Sequence, residues 1–276
     1  MGRKLNREAK SPDDTAAGSD MRRLCSKACD SRRQRGIFRA VLQTGANPVQ
    51  CALLTAPTEQ DPHLKVTRIL AVRHGETAWN RDTRIQGHTD IALNERGRWQ
   101  AAQLAQALRE EPIAAVYASD LGRAFETAQA VARVKGMEVT PHKGLRERHF
   151  GRFEGRTWAE LEQRWPTEAL AWRKRMPDFA PEGGESLEQL QRRVIPTVIE
   201  LASRHPGEQV LMVAHGGVMD MLYRAAMRLE LNAPRSWELP NTAINRLLWS
   251  PEGLSLVGWA DTQHLQTGEP LDERSV

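Results

Sequence analysis

The chain has 276 residues, 40% of them hydrophobic, so it can form one large domain or two small ones with a substantial core. Residues 1–40 hold 11 Lys/Arg and 5 Asp/Glu, whereas the other residues hold 28 and 30, so the formal net charge of +4 comes from the N-terminal region. No apolar run approaches about 18 residues, which argues against a membrane span, and the start of the chain lacks the apolar core of a secretory signal.

Residues 1–65 are predicted to be a basic arm that precedes a folded domain of residues 66–276. A basic segment can bind nucleic acid or anionic lipid, but this one lacks interleaved aromatic residues, so we expect a disordered, solvated tail and no nucleic-acid partner. All three cysteines, Cys25, Cys29 and Cys51, lie in the arm, and their spacing matches no zinc motif. The predicted domain therefore needs no disulfide, and a reducing cytoplasm is its expected location.

From residue 66 onward, strand and helix patterns alternate, which predicts an α/β fold. The expected architecture is a three-layer sandwich: a mainly parallel sheet with helices on both faces and a C-terminal antiparallel hairpin. In chain order, strands are predicted at 67–72, 113–118, 138–140 and 210–214, followed by hairpin strands at 242–249 and 254–260. Helices are predicted from the N-cap Asn94 to Leu108, at 121–134, as two or three segments within 157–175 and 185–204, and at 217–228.

Arginine and histidine side chains follow three of these strands. The first strand leads to Arg73 and His74, and the fourth leads to His215 at the start of a helix. The second strand is followed by Arg123, in the first turn of the next helix. Each residue alone is more often structural, but the carboxyl ends of parallel strands share one edge of the sheet, where α/β folds bind ligands. Two guanidinium groups, two imidazoles and a helix N-terminus together predict a phosphate site.

A nucleophile is also available at this edge. The predicted domain has no cysteine, and Ser119 lacks the G-x-S-x-G context of an acyl-transfer serine. Histidine can carry a covalent intermediate, and His74 is favoured because the adjacent Gly75 allows a close approach of the backbone. An imidazole attacks through an unprotonated nitrogen, so we expect a neighbour, such as a backbone carbonyl, to fix the tautomer of His74.

The segment Arg73-His74-Gly75-Glu76-Thr77 resembles the signature of the histidine phosphatase superfamily, also called the phosphoglycerate mutase-like fold. The resemblance continues in the family's order across residues 66–265 and does not include the N-terminal arm. Its further segments are Trp79-Asn80, Gln86-Gly87, Leu93-Asn94-Glu95-Arg96-Gly97, Ser119-Asp120-Leu121-Gly122-Arg123-Ala124, Leu145-Arg146-Glu147, Phe150-Gly151, Glu154-Gly155, Gly183-Gly184-Glu185-Ser186 and Ala214-His215-Gly216-Gly217.

The resemblance implies a role for each matching position. His74 is implied to be the nucleophile that becomes phosphohistidine, and Arg73, Arg123 and His215 are implied to hold the phosphoryl oxygens. Glu147 is implied to be the general acid that protonates the leaving oxygen and then activates water. This chemistry needs no metal and no cofactor, and its expected substrate is a small phosphorylated metabolite. Further phosphate or substrate contacts implied by the resemblance are Asn80, Gln86, Gly87 and Gly216.

The superfamily contains both phosphatases and mutases. Its mutases usually carry an insertion between the acid and the second histidine, but only 68 positions separate Glu147 from His215, which favours a compact phosphatase. The segment Glu147-Arg148-His149-Phe150-Gly151 resembles a mutase segment that has tyrosine where this chain has Phe150, so a phosphoglycerate mutase-type transfer stays an alternative.

A third alternative is a signalling protein that binds phosphate or phosphohistidine without turnover. The presence of both His74 and Glu147 argues against it, since a binding module needs neither a nucleophile nor an acid. Substrate specificity is expected from the helices at 157–185, where Trp172-Arg173-Lys174-Arg175 could supply basic contacts or form an exposed helix face. The oligomeric state is left open.

We predict that removal of residues 1–60 leaves activity and melting temperature nearly unchanged, because the arm is not expected to pack on the domain. Full-length and shortened chains can be compared by hydrolysis of p-nitrophenyl phosphate and by thermal unfolding. A large loss of either property would mean that the arm contributes to the folded domain.

Overall fold

The computed structural model describes residues 66–266, so the predicted N-terminal arm lies outside the described residues and its state remains a prediction. The described part contains one six-stranded sheet. Its strands are β1 (Thr67–Arg73), β2 (Ala115–Ala118), β3 (Val139–Pro141), β4 (Gln209–Ala214), β5 (Ile244–Ser250) and β6 (Gly253–Asp261).

The sheet is mainly parallel, as the alternating pattern predicted. Its strand order is β3-β2-β4-β1-β5-β6, in which the first four strands are parallel and the C-terminal hairpin pairs antiparallel to β1. The central strand β4 is buried at every position, because it is covered on both faces. The predicted second strand begins two residues late, at Ala115, since the N–H of Ile113 bonds to the carbonyl of Glu111 in a turn and not to a neighbouring strand.

Seven α-helices lie within residues 66–266. None of them is long and apolar enough to span a membrane. They are α1 (Ala78–Arg81), α2 (Glu95–Ala107), α3 (Gly122–Lys135), α4 (Trp158–Arg164), α5 (Pro166–Arg173), α6 (Leu187–Ser203) and α7 (Gly216–Met227).

Successive residues of the central strands face opposite layers of helices. Ile69 and Ala71 of β1 belong to a core cluster with residues of α6 and α7. Leu70 and Val72 belong to a second cluster with residues of α2 and α3. This period-two alternation on β1 builds a core on each face of the sheet. The predicted three-layer sandwich is therefore confirmed.

A small third cluster lies outside the two main cores, in a segment that we call the cap, residues 147–186. Phe153 is completely buried there, and its ring lies 5.7 Å from that of Trp165 and 5.4 Å from that of Trp172. The helical region predicted at 157–175 is divided in two at Trp165, because Pro166 lacks an N–H and begins a new helix. The short helix α1 was missed, since four residues are too few to show a helical period.

Candidate active site

The two predicted histidines lie side by side because their strands are neighbours. β1 and β4 pair in parallel with Arg73 opposite Ala214, and the N–H of His74 donates to the carbonyl of Ala214 over 3.0 Å. The next residue on the β4 side is His215, the N-cap of α7. The centroids of the two imidazole rings are 5.2 Å apart, and both side chains are buried. Both imidazoles therefore belong to one pocket at the carboxyl edge of the sheet.

A backbone carbonyl sets the tautomer of His74. Nδ1 of the ring lies 2.7 Å from the carbonyl oxygen of Gly75. Because a carbonyl oxygen can only accept, Nδ1 carries the proton, and Nε2 is the unprotonated nitrogen of the neutral ring. The carbonyl of His74 itself accepts from Nδ2 of Asn241 over 2.8 Å, which anchors the backbone of the residue. The ring nitrogen needed for nucleophilic attack is thus Nε2.

Gly75 is buried where the turn after β1 meets the start of α2. A Cβ at this position would lie 2.5 Å from the carbonyl oxygen of Gly97, so a larger residue would push the two segments apart. The N–H of Gly75 donates to Oγ1 of Thr127 over 3.0 Å, and that hydroxyl donates to the carbonyl of Arg123 over 2.7 Å. Thr127 therefore ties the turn that carries His74 to the helix that carries Arg123.

Backbone carbonyls hold both predicted arginines. Arg123 is wholly buried, and its Nη1 and Nη2 donate to the carbonyls of Thr89 and Gly87 over 3.0 and 2.7 Å. Nη1 of Arg73 donates to the carbonyl of Leu239 over 2.6 Å. A neutral carbonyl orients a guanidinium without cancelling its charge. Both side chains therefore keep a positive charge that can act on an anion.

Several buried polar atoms at this edge have no hydrogen-bond partner among residues 66–266. Buried polar atoms in proteins are nearly always paired, so a cluster of unpaired ones marks a place for a polar ligand. Most of the unpaired atoms are nitrogens that can donate to phosphoryl oxygens. They are Nε of Arg73, Nε of Arg123, both ring nitrogens of His215 and Oε1 of Gln86.

The electrostatic environment keeps both imidazoles neutral. Burial lowers the pKa of His74 well below the ordinary histidine value, and the charges of Arg123 and Arg73 lower it further, while the hydrogen bond to Gly75 opposes the shift. Burial likewise lowers the pKa of His215, again with a contribution from Arg123. At neutral pH, His74 is therefore in the form that can attack an electrophile.

Glu147 lies at the N-terminus of α7. Its Oε1 accepts hydrogen bonds from the N–H of Gly217 over 2.9 Å and from the N–H of the adjacent Arg148 over 2.8 Å. A helix N-terminus favours such a carboxylate, because its first N–H groups are free to donate. A Cβ on Gly216 would lie 3.7 Å from both Oε2 of Glu147 and Nε of Arg73, so the carboxylate and the guanidinium flank the same glycine.

Two donors fix the backbone at Glu147. Nη2 of Arg193 donates to the carbonyl of Glu147 over 3.1 Å, and Nε2 of His88 approaches the same oxygen at 2.8 Å. Arg193 is itself held by the carboxylate of Glu185 at 2.8 Å. The backbone that carries the Glu147 side chain is therefore held by α6 and by the loop at His88.

The other predicted contacts, Asn80, Gln86 and Gly87, lie in the segment that follows β1, and their contact with a substrate stays a prediction. Asn80 caps α1 through Oδ1, which accepts the N–H of Thr77 over 3.1 Å. Gln86 is buried, and its Oε1 is one of the unpaired atoms. Gly87 has a φ of 58°, a backbone conformation that favours glycine, and its carbonyl orients Arg123.

Three residues that the sequence did not single out for the site help to hold it. Glu154 accepts the N–H of His88 over 2.9 Å and fixes the loop that contains Gly87, while Thr127 and Asn241 hold the backbone around His74. Glu154 lies in a segment that resembles the superfamily, but the sequence does not show that its side chain bonds to His88. Nothing near Asn241 pointed to a strand end 167 positions away.

A cavity of about 400 Å³ adjoins the pocket. Within residues 157–185, where specificity was expected to arise, Trp172 of α5 and Arg175 from the predicted basic stretch line it. Within residues 66–266, no group of three or more His, Cys, Asp or Glu side chains is placed to hold a metal ion. Lining residues include Arg73, Arg148, Trp172, Arg175, Gly216 and Asp220.

A family model described as the histidine phosphatase superfamily (branch 1) matches residues 69–262. Phosphoglycerate mutase-like protein 4 of Arabidopsis thaliana is 39% identical over 202 residues, which cover 72% of this chain and 86% of the relative. The metal-independent phosphoserine phosphatase of Arabidopsis thaliana is 37% identical over 206 residues, covering 74% and 85%. Among solved structures, a mycobacterial glucosyl-3-phosphoglycerate phosphatase superposes with a TM-score of 0.65 at 32% identity, covering 72% of this chain and 100% of that structure.

We predict that the free energy of unfolding falls as the pH is lowered below about 6.5, the ordinary histidine pKa. The unfolded chain takes up protons on His74 and His215 in that range, whereas the folded protein keeps a lowered pKa at both residues. The contribution of the two neutral histidines to the free energy of unfolding is full above their pKa in the unfolded chain, and it is lost as the pH falls toward their pKa in the folded protein. Urea unfolding across this range should show a shallower pH dependence for the double variant His74→Gln, His215→Gln; equal dependence would contradict the prediction.

Proposed function

The chain belongs to the histidine phosphatase superfamily and is a phosphoric monoester hydrolase, and we propose that it acts on small phosphorylated metabolites, without a metal ion, through a phosphohistidine on His74. The observation that carries this proposal is the convergence of His74 with unpaired donors. The imidazole rings of His74 and His215 are 5.2 Å apart, and Nε of Arg73 and of Arg123 have no partner in the described part of the chain.

In the proposed complex, the phosphoryl oxygens accept hydrogen bonds from Arg73, Arg123 and His215. Arginine forks suit phosphate oxygens, and these guanidinium groups are already oriented by carbonyls before substrate arrives. Charge that develops on the three oxygens during transfer is stabilised by groups that need not reorganise.

The first proposed step forms the phosphoenzyme. Nε2 of His74 attacks phosphorus, the ester P–O bond breaks, and its electron pair goes to the leaving oxygen, which takes a proton from the Glu147 carboxyl. The carbonyl of Gly75 accepts the Nδ1–H of the ring, which stabilises the positive charge that the imidazole acquires. Glu147 leaves this step as a carboxylate beside the N-terminus of α7.

The second proposed step returns the enzyme to its starting state. The Glu147 carboxylate takes a proton from a water molecule, whose oxygen attacks phosphorus. The P–N bond breaks, its electron pair returns to Nε2 of His74, and inorganic phosphate leaves. The enzyme is restored with a protonated acid and a neutral imidazole, and no metal or redox partner enters the balance.

A mutase-type transfer is the second candidate, because one relative is named a phosphoglycerate mutase-like protein. Arg148, which lies in the segment that resembles the mutases, favours hydrolysis instead, because its contacts hold the cap. Its Nε and Nη2 donate to the carbonyls of Glu185 and Phe179 over 2.7 and 3.0 Å, so this arginine holds the cap. Phe150 also lacks the hydroxyl of the mutase segment. Incubation with 3-phosphoglycerate and 2,3-bisphosphoglycerate should release phosphate, whereas net formation of 2-phosphoglycerate would support the mutase.

We predict that His74→Ala abolishes both hydrolysis of p-nitrophenyl phosphate in the presence of EDTA and acid-labile labelling of the protein by a phosphorylated substrate. The reason is that no other side chain would carry the phosphoryl group. His205→Ala is the matched control, because His205 precedes β4 at the opposite edge of the sheet and bonds to Tyr117 over 2.8 Å. Labelling that persists in the His74 variant would place the nucleophile elsewhere.

We predict that Glu147→Gln slows hydrolysis of alkyl phosphates by about 10²- to 10⁴-fold, the usual contribution of a general acid. Aryl phosphates should be affected far less, because a phenolate leaves without a proton. Steady-state kcat/KM for the two substrate types gives the comparison, with the exposed Glu138→Gln as control. If both substrate types slow to the same extent, Glu147 is not the acid.

A further inference from the structure

The turn from His74 to Glu76 has a hydrogen bond on every backbone N–H and C=O group. The peptide unit between Gly75 and Glu76, which we call the 75–76 peptide, gives both of its groups to side chains. Its carbonyl lies 2.7 Å from Nδ1 of His74, and its N–H donates to Oε1 of Gln100 over 2.8 Å. The other groups bond to Ala214, Asn241, Thr127 and Asn94. One peptide unit therefore connects Gln100 to the ring of the proposed nucleophile.

Gln100 reaches this peptide because α2 packs against the turn. A Cβ on Gly97 would lie 2.7 Å from the backbone nitrogen of Glu76, so the helix and the turn are in direct contact there. Gln100 follows Gly97 by three positions, which places it on the same face of the helix. Its side chain is buried, and a buried amide is costly without a partner. The bond to the N–H of Glu76 supplies a partner for its Oε1.

The direction of the 75–76 peptide decides which ring nitrogen of His74 is free. Burial lowers the pKa of His74, so the ring is neutral and carries a single proton. With the carbonyl toward the ring, that proton lies on Nδ1 and Nε2 is free. Half a turn of the peptide would bring the N–H of Glu76 to Nδ1, which would then accept, and the proton would move to Nε2. A protonated Nε2 in a neutral ring cannot attack phosphorus.

We propose that Gln100 is a positioning residue: by accepting the N–H of Glu76, it holds the 75–76 peptide in the direction that keeps Nε2 of His74 unprotonated. This inference rests on the proposed function, in which Nε2 attacks phosphorus. The same contact assists the charged intermediate. Hydrogen bonds in a chain strengthen one another, so the bond to Gln100 makes the carbonyl of Gly75 a better acceptor for the ring when it becomes cationic.

Nitrogen-15 NMR of the full chain with labelled histidine tests the proposal, because protonated and unprotonated ring nitrogens have separate chemical shifts. The resonances of His74 are those that the variant His74→Gln lacks. In the unaltered protein at neutral pH, we expect a protonated Nδ1 and an unprotonated Nε2. In Gln100→Met, whose thioether is only a weak acceptor, a share of the molecules should carry the proton on Nε2. A proton on Nε2 in the unaltered protein, or an unchanged tautomer in Gln100→Met, would overturn the proposal.

The variant Gln100→Glu separates the direction of the peptide from the packing of the side chain. It keeps the shape of glutamine, and an ionised carboxylate can only accept, so it should hold the 75–76 peptide in the same direction. We therefore expect the tautomer of the unaltered protein in Gln100→Glu. If Gln100→Met does not fold, this variant still decides, because a shift of the proton to Nε2 in folded Gln100→Glu would contradict the proposal. The exposed Gln106→Met, on the same helix, is the control.

Kinetics test the consequence for the reaction. For p-nitrophenyl phosphate, kcat/KM is expected to fall about 10-fold in Gln100→Met, the value of one hydrogen bond, and to recover in Gln100→Glu. Inhibition by inorganic phosphate should not weaken in Gln100→Met, because Arg73, Arg123 and His215 are unaltered and a protonated Nε2 can donate to a phosphate oxygen. Equal losses of kcat/KM and of phosphate affinity would mean that Gln100 only supports the shape of the pocket, and would overturn its proposed role.

The proposed function and the role of Gln100 fail through different results. If the unaltered protein does not hydrolyse p-nitrophenyl phosphate, the proposed function is wrong, while the NMR comparison still shows whether Gln100 controls the tautomer of His74. If the unaltered protein hydrolyses this ester and the tautomer is the same with and without Gln100, only the role of Gln100 is overturned.

Discussion

The parallel pairing of β1 with β4 is the constraint on which the rest of the site depends. Its register sets Arg73 opposite Ala214, so the next residues, His74 and His215, lie side by side at the carboxyl edge of the sheet. A shift of one residue would turn each side chain to the other face of its strand. Because β4 is buried on both faces, such a slip would exchange the residues that pack in the two cores and disrupt both. The geometry of the pocket is thus a consequence of core packing.

Among residues 66–266, no carboxylate hydrogen-bonds to Arg73 or Arg123, although Glu147 acts on both guanidinium groups at longer range. Carbonyls of the loop at Gly87 orient Arg123, and the nearest carboxylate oxygen, that of the half-exposed Asp90, is 3.7 Å away. A buried charge left so lightly compensated is costly, and an anionic ligand would offset that cost. Burial lowers the pKa of His74 and the charges of Arg123 and Arg73 lower it further, so the groups that would hold a phosphoryl oxygen also help to keep the proposed nucleophile neutral.

The cap supplies walls of the cavity in which a leaving group would bind, and most groups proposed for the chemistry lie outside it. Its aromatic cluster around Phe153 lies outside the two main cores. Arg148, next to Glu147, ties the start of the cap to its end through the carbonyls of Phe179 and Glu185 and lies 5.0 Å from the ring of Trp172. Residues of the cap and of the loop at Arg235 line the cavity, whereas Arg73, His74 and His215 lie at the sheet edge and Glu147 is the one cap residue with a proposed part in the chemistry. A cap of different sequence could therefore accept a different leaving group above the same sheet edge.

The sequence by itself determined the alternation of strands and helices, and with it the edge at which Arg73, His74 and His215 lie, because these depend on local apolar periodicity and on what directly follows a strand. Only the tertiary structure decided which distant groups complete the site. No periodic pattern in the sequence predicts the contact of Asn241 with His74, the unpaired Oδ1 of Asp220 or the position of Arg235. Their roles arise where loops far apart in sequence meet, and such meetings are set by how the layers pack and not by the residues next to them.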